Sequence, residues 1–389
     1  MKALELASLN IFFEVEHDAD TDSITVTLFE TQNSKLNEVL KKPKTQDNMP
    51  KIVYQTKLTT KWPFSSISGL EYRIKSVRDK MLEKYKKVPL NAGGKDPVDI
   101  FRLKAGCDVK DLKLGPYGYA ENHAASYAKF KALRDKGVIP AGTRYQATLA
   151  GPGTSAFCIE LPAEQLLPLS RAALLHEVEG IVAAIPAKDL TIQLDIGMEA
   201  EHEEYLRRPD AWDQPLHKVF HWTLEQMADS VAWLANRIPS QVELGFHVCS
   251  IWHHDPAGGQ DNRVLVDAAN AIFDRLTRPV GYVHMPVIPE HTPEDYAHFK
   301  ALKLPKGTKL YIGLINLADG VEGARKRIAM AEAVVSDFGV GTFCGLGRPP
   351  TPQAFGAITH THPPTPELKR ATPETIGDVL DLHKAVAEI

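Results

Sequence analysis

The chain has 389 residues, 43% of them hydrophobic, which is enough for one large barrel-type domain, or two of ordinary size, with a substantial core. Its 45 basic and 49 acidic residues leave a formal charge of −4, which gives no electrostatic ground for a nucleic acid or an anionic membrane as partner and makes a small-molecule substrate the default. No apolar run approaches the roughly 18–20 residues of a bilayer span, Glu5, Glu14 and Glu16 interrupt any N-terminal signal segment, and Cys107, Cys158, Cys249 and Cys344 are too scattered for a disulfide framework, so a cytoplasmic protein with available thiols is expected.

Residues 1–50 differ from the rest. Asn10 to Glu16 and Ser23 to Thr31 are β-rich and flank the polar run Asp18-Ala19-Asp20-Thr21-Asp22, which predicts a hairpin; Lys41 to Pro50 then has the character of a linker. That hairpin has three uses open to it: covering a barrel end, wrapping the barrel's surface, or pairing with a second subunit in a homo-oligomer. From about Lys51 to Ile389 strand-like and helical stretches alternate. Lys51 to Leu58 is a first strand and the second is not visible. The clearest strands are Tyr145 to Leu149, Leu190 to Ile196, Val242 to Val248, Val280 to Met285, Lys309 to Ile315 and Gly339 to Cys344, with helices over Ala163 to Ala184, Leu216 to Arg237, Asn262 to Leu276 and Gly320 to Val335. Strand starts every 30 to 50 residues suit an α/β fold of the (β/α)8 TIM-barrel type carrying an N-terminal β-hairpin extension. A doubly wound open sheet is the alternative, but no Gly-x-Gly-x-x-Gly follows a strand to support it.

The chemistry concentrates at strand ends. In His247-Val248-Cys249 an imidazole and a thiolate two residues apart leave one face of a strand, and Cys344 ends a later strand before Gly345-Leu346-Gly347. Two strand-terminal cysteines and a histidine meet the minimum for a catalytic zinc site. His284, before Met285-Pro286, is the candidate fourth ligand, although a histidine there can equally act as a general acid or base. Asp195 ends its strand as a candidate catalytic group or a solvated terminus. Cys107 and Cys158 are expected to be ordinary thiols, and Glu199 to Glu204 an acidic, solvated face from which Glu199 alone is near enough to enter the site.

In order along the chain stand Gly115-Pro116-Tyr117-Gly118-Tyr119, Gly137 to Gln146, Ile192-Gln193-Leu194-Asp195, Gly245-Phe246-His247-Val248-Cys249, His284-Met285-Pro286, Ala318-Asp319-Gly320-Val321-Glu322-Gly323 and Phe338 to Arg348. This succession resembles the cobalamin-independent methionine synthase and uroporphyrinogen decarboxylase superfamily of (β/α)8 barrels over about residues 110 to 389. The resemblance implies zinc held by His247, Cys249 and Cys344, with His284 where the methionine synthases carry a glutamate. It leaves Asp195 as the aspartate that would hold a substrate amine, and sets Tyr117, Tyr119 and Arg144 near the same rim. Trp252, His253 and His254 follow the His-x-Cys strand as substrate-contact candidates or exposed loop residues. Arg348 is placed to pair with an anionic substrate group or in a structural salt bridge.

Departures matter as much. Asp195-Ile196-Gly197 replaces the family's Asp-Glu-Pro, Lys51 to Pro63 lacks the Ile-Gly-Ser-Phe-Pro motif that seats an amino-acid carboxylate, and the folate-positioning half is missing. The expectation is a short, stand-alone zinc methyl- or alkyltransferase, distinct from methionine synthase and similar in kind to the epoxyalkane coenzyme M transferases, which activate a thiol on zinc. The alternatives are a zinc lyase or hydrolase acting through oxygen, and a metal-free decarboxylase-like or ligand-binding barrel.

Overall fold

A computed structural model describes residues 11–18, 23–30, 81–89, 97–207, 222–249, 262–288, 291–317, 319–342 and 373–387. The first elements are β1 (Ile11–Asp18) and β2 (Ser23–Glu30), which pair antiparallel from Ile11↔Glu30 to Asp18↔Ser23. This is the hairpin that the polar spacer predicts. A second hairpin, β3 (Leu82–Pro89) with β4 (Pro97–Leu103), has no counterpart in the sequence reading. Lys51 to Leu58 lies outside the described residues.

The central sheet follows from a two-residue alternation. Strands β5 (Tyr145–Ala150), β6 (Leu190–Ile196), β7 (Glu243–Val248), β8 (Tyr282–Pro286), β9 (Lys309–Ile315) and β10 (Gly339–Thr342) lie side by side in chain order, all parallel. Successive side chains leave a strand on opposite faces, so each strand sorts its residues between two environments. Ile192, Leu194 and Ile196, Leu244, Phe246 and Val248, and Leu310, Ile312 and Leu314 take one face and are buried in the main core. Gln193 and Asp195, Glu243 and His247, Tyr282 and His284, and Tyr311 take the other. Parallel sheets ordinarily bury two apolar faces; this one is apolar on one face and polar on the other.

Helices cover the apolar face. They are α1 (Tyr119–Asp135), α2 (Ala163–Ala184), α3 (Met198–Arg207), α4 (Leu224–Ala235), α5 (Asn262–Phe273), α6 (Pro293–Ala297), α7 (Gly320–Glu332) and α8 (Pro373–Ala387). In α2 the stripe Leu167, Leu174, Val178 and Ile181 recurs at helical spacing and is buried. Helix α4 starts at Leu224, not Leu216, because Thr223 and Gln226 form a capping box: the Gln226 N–H donates to Thr223 Oγ1 (3.2 Å) and the Thr223 N–H to Gln226 Oε1 (2.9 Å). Helices α1 and α2, α2 and α4, α4 and α5, and α7 and α8 are neighbours, α6 lies against both α5 and α7, and α8 runs beside β1. Strand order never reverses within these six, so they contain no switch point of the doubly wound kind. No helix among the described residues is long and apolar enough to cross a membrane.

Two buried ions hold the connections. Glu177 of α2 accepts from the backbone N–H groups of Tyr117, Gly118 (2.9 Å) and Ala120 (2.8 Å), satisfying the N-terminus of α1 from a neighbouring helix. Arg327 of α7 donates to the Leu314 carbonyl of β9 (2.7 Å) and makes a two-pronged pair with Asp319. Gly323 is required between them, since a Cβ there would stand 1.9 Å from Asp319 Cγ. The Asp319-to-Gly323 motif is thereby accounted for as the seat of an ion pair.

At the β5 edge of the sheet, His123 of α1 donates through Nε2 to the Thr148 carbonyl (3.2 Å) and accepts through Nδ1 from the Tyr145 hydroxyl (2.9 Å). Side chains thus satisfy backbone groups that an edge strand would leave open.

Candidate functional site

The C-terminal ends of β6 and β7 and the middle of β8 bring three expected residues into one row. Asp195 pairs in register with His247, and His247 with His284. Residues in register on parallel strands leave the sheet on the same face, so all three side chains project from the polar side. The two imidazoles lie nearly flat against each other, ring centroids 4.8 Å apart and planes 27° apart, with Nδ1 to Nδ1 at 2.7 Å. The third contact fixes the tautomer: His284 Nε2 is 3.0 Å from the Thr342 carbonyl, which only accepts, so Nε2 carries the proton. In neutral His284 the Nδ1 lone pair therefore points at His247. Burial first, and then the His247 ring, push the His284 imidazole well below the usual histidine range.

Glycines make the row possible. Gly341 lets β10 approach, because a Cβ there would be 3.1 Å from His284 Nε2. Gly339 lies under the Tyr311 ring, so the two glycines of Gly339-Val340-Gly341, on one face of the strand, each clear room for a side chain crossing from a neighbour.

Cys249, two residues beyond His247, is buried, and its N–H donates to the Ile196 carbonyl (2.9 Å), extending the β6–β7 pairing to the cysteine itself. Cys344, Arg348, Trp252, His253 and His254 lie outside the described residues; Cys344 comes two positions after Thr342 in sequence. No group of three or more His, Cys, Asp or Glu poised for a metal occurs among the described residues.

Other expected residues fall elsewhere. Arg144 precedes β5 and pairs with Glu243 (3.1 Å) at the start of β7, at the N-terminal end of the sheet and away from the His247–His284 row. The family resemblance misplaced it, because a strand's two ends carry opposite roles and Arg144 stands at the beginning of its strand. Tyr117 is buried in the core, while Tyr119 reaches the C-terminal end of β5, its hydroxyl 3.4 Å from the Ala150 nitrogen.

Two residues of the acidic segment, Glu199 and His202, do not lie on the solvated face expected. Glu199 and His202 are 1% exposed. Glu199 accepts from the N–H groups of Gly153 (2.7 Å) and Thr154 (3.0 Å) and from the Thr154 hydroxyl, which in turn accepts from the Met198 N–H (3.0 Å). One carboxylate thus ties the loop after β5 to the start of α3, beside Asp195. Burial pushes its carboxyl up, against the opposing pull of the Thr154 and Gly153 hydrogen bonds. A signal existed in the Gly151-Pro152-Gly153-Thr154 turn, whose glycines leave space for a side chain: a Cβ at Gly151 would meet Glu199 Oε1 at 2.5 Å.

The chain matches no protein-family model and no curated protein. The resemblance to the methionine synthase and decarboxylase barrels therefore rests on its motifs.

Proposed function

We propose that the protein is a zinc-dependent methyl- or alkyltransferase, related to the cobalamin-independent methionine synthase and uroporphyrinogen decarboxylase barrels, that activates the thiol or a similar soft nucleophile of a small-molecule substrate. The observation that carries the reading is the pair of imidazole nitrogens, His247 Nδ1 and His284 Nδ1, 2.7 Å apart on adjacent strands. The donor chemistry fits zinc. His284 has its Nε2–H engaged by a backbone carbonyl and its Nδ1 lone pair directed inward, the outer-shell arrangement usual for a metal-ligating histidine. His247, Cys249, His284 and Cys344 would hold the ion, a set of two borderline nitrogens and two soft sulfurs. Bound there, zinc would supply one thing, a lowered pKa for a substrate thiol so that thiolate persists near neutral pH.

The chain's own residues supply the rest. The Thr342 carbonyl holds the His284 ring in place, Glu199 holds the loops after β5 and β6 in place, and Gln193 Nε2 holds one carboxylate oxygen of Asp195 (2.9 Å). Unidirectional strand order, a single helix layer and a polar, glycine-spaced opposite face support closure of the sheet into a (β/α)8 barrel. The remaining strands would come from residues before β5, with Lys51 to Leu58 the first. Methionine synthase itself is not proposed, because the residues that would seat an amino-acid substrate are largely absent, Asp195 alone being retained.

A second reading, a zinc lyase or hydrolase acting through oxygen, is favoured by His284 standing where the methionine synthases carry a carboxylate. Two Cys and two His make a formally neutral zinc centre, more Lewis acidic than one bearing an additional glutamate. Elemental analysis of purified protein tests the metal: about one zinc per chain is expected, lowered in Cys249→Ser and Cys344→Ser. Stoichiometric zinc in the double variant would refute it. Thiol dependence of turnover separates the two readings.

A further inference from the structure

One layer below Asp195, on the same face of the sheet, lies a polar row that the proposed chemistry touches only through the Gln193–Asp195 hydrogen bond. The Tyr282 ring crosses Gly245, where a Cβ would stand 2.1 Å from Tyr282 Cζ, and its hydroxyl lies 2.9 Å from Gln193 Oε1 and 2.9 Å from Gln146 Oε1. Gln146 Nε2 donates to Gln193 Oε1 (3.2 Å) and Thr148 Oγ1 (3.3 Å), and Gln193 Nε2 donates to Asp195 Oδ1 (2.9 Å).

The protons in this row do not add up. Tyr282 has one O–H and faces two amide oxygens. Amide oxygen and nitrogen can be exchanged in assignment, so each alternative must be tried. Exchanging Gln146 alone sets its oxygen against Gln193 Oε1. Exchanging Gln193 alone sets nitrogen against nitrogen and turns its oxygen on the Asp195 carboxylate. Exchanging both satisfies every contact but the last, which then needs a proton on Asp195. With Asp195 ionised, every arrangement is one donor short. Gln146 is exposed and Gln193 and Tyr282 are partly buried, so the missing donor can arrive from the Gln146 side.

We infer that Gln146, Gln193 and Tyr282 form a substrate subsite that takes a hydrogen-bond donor, a hydroxyl or an amine, carried on an arm extending from the His247–His284 level. Two strand residues separate the rows, so the arm spans roughly 6–7 Å, about the length of a four-carbon chain. The inference deepens the thiol-activating reading by adding a polar end to the substrate, and it rests on that reading for the choice of the first probes.

The test uses zinc-loaded protein and three thiols of equal length: butane-1-thiol, 4-mercaptobutan-1-ol and 4-aminobutane-1-thiol. Calorimetry should give 4-mercaptobutan-1-ol an affinity roughly three- to tenfold above butanethiol, the range of one added neutral hydrogen bond, and the aminothiol, an ammonium at neutral pH, at least as large a gain. Gln146→Leu, at an exposed position, should abolish that preference and leave butanethiol binding unchanged. A preference for the hydroxyl, the amine or both supports the subsite and tells the donor's source. Equal binding of all three, or a preference that survives Gln146→Leu, overturns it. Binding of none of the three would sink the thiol reading instead. The subsite is then decided by butane-1,4-diol and 4-aminobutan-1-ol, which should shift the side-chain amide resonances of Gln146 and Gln193; unmoved resonances refute it. So would an Asp195 carboxyl carbon shift characteristic of the protonated acid at neutral pH, because the missing proton would then be internal.

Discussion

At the residue scale the site turns on what His284 does with its two nitrogens. Nε2–H is committed to the Thr342 carbonyl, so Nδ1 is left to share a proton with His247 or to ligate. If it ligates, His284→Ala should weaken zinc binding at least tenfold in a competition with a chromophoric chelator, whereas His284→Glu should keep full occupancy, since a carboxylate is a competent zinc ligand. Unchanged affinity in His284→Ala would make it an acid–base residue beside a three-ligand centre. Glu199 poses a separate question. Because burial raises its folded-state carboxyl above the ordinary 4.5, the stability linked to its proton is present below that value and lost as pH rises through the folded one. Glu199→Gln, neutral at every pH, should therefore equal or exceed wild type near neutrality, with an advantage that shrinks in acid. Glu199→Ala should lose about 2–3 kcal/mol, because the Gly153 and Thr154 N–H groups are left buried without an acceptor. Urea unfolding at two pH values checks both.

Among the elements, α1 is fastened at each end by a carboxylate that is remote in sequence. Glu177 takes its first N–H groups, and Asp189, just before β6, takes both arms of Arg134 (2.9 and 2.6 Å) and the Tyr127 hydroxyl (2.7 Å). The Arg134 guanidinium, ahead of the Tyr127 hydroxyl, holds the Asp189 carboxyl down at about 2 against an ordinary 3.8. A depressed folded pKa contributes stability that is present above 3.8 and lost as pH falls through about 2. Both side chains are 12% exposed, so after screening the contribution is on the order of 1 kcal/mol. Thermal melts should show Arg134→Leu destabilised relative to wild type above pH 4, with the gap closing toward pH 2; a gap independent of pH would mean that packing alone was lost. None of these clamps was visible in the sequence, since each joins residues about 55 to 60 apart whose proximity depends on the layering of helix on sheet.

For the whole molecule, the division of the sheet into an apolar and a polar face separates stability from chemistry. The side chains packed beneath the helices, such as Leu194, Phe246 and Ile312, are fully buried and point away from the His247–His284 row. Stripping metal with a chelator should therefore leave the far-ultraviolet circular dichroism unchanged and lower the melting temperature by a few degrees at most, unlike a small zinc domain whose fold is its metal site. Collapse of the secondary structure on chelation would show that the ion is structural.

The central strands, the long helices and the N-terminal hairpin were legible in the sequence because each depends on a local period: two for a strand, 3.6 for a helix, and a polar turn between β-rich stretches. Leu190–Ile196 and Ala163–Ala184 occur at their predicted bounds for that reason. The strands that carry His247 and His284 were likewise readable. Register was not. That His247 stands against His284 and Asp195, that Arg144 stands at the opposite end, that Glu199 turns inward, and that Tyr282 crosses two strands to reach Gln146 all depend on how strands align and which face each side chain takes. Those are decided by long-range hydrogen bonding and by the glycines that clear space for a neighbour, and only the assembled sheet supplies them.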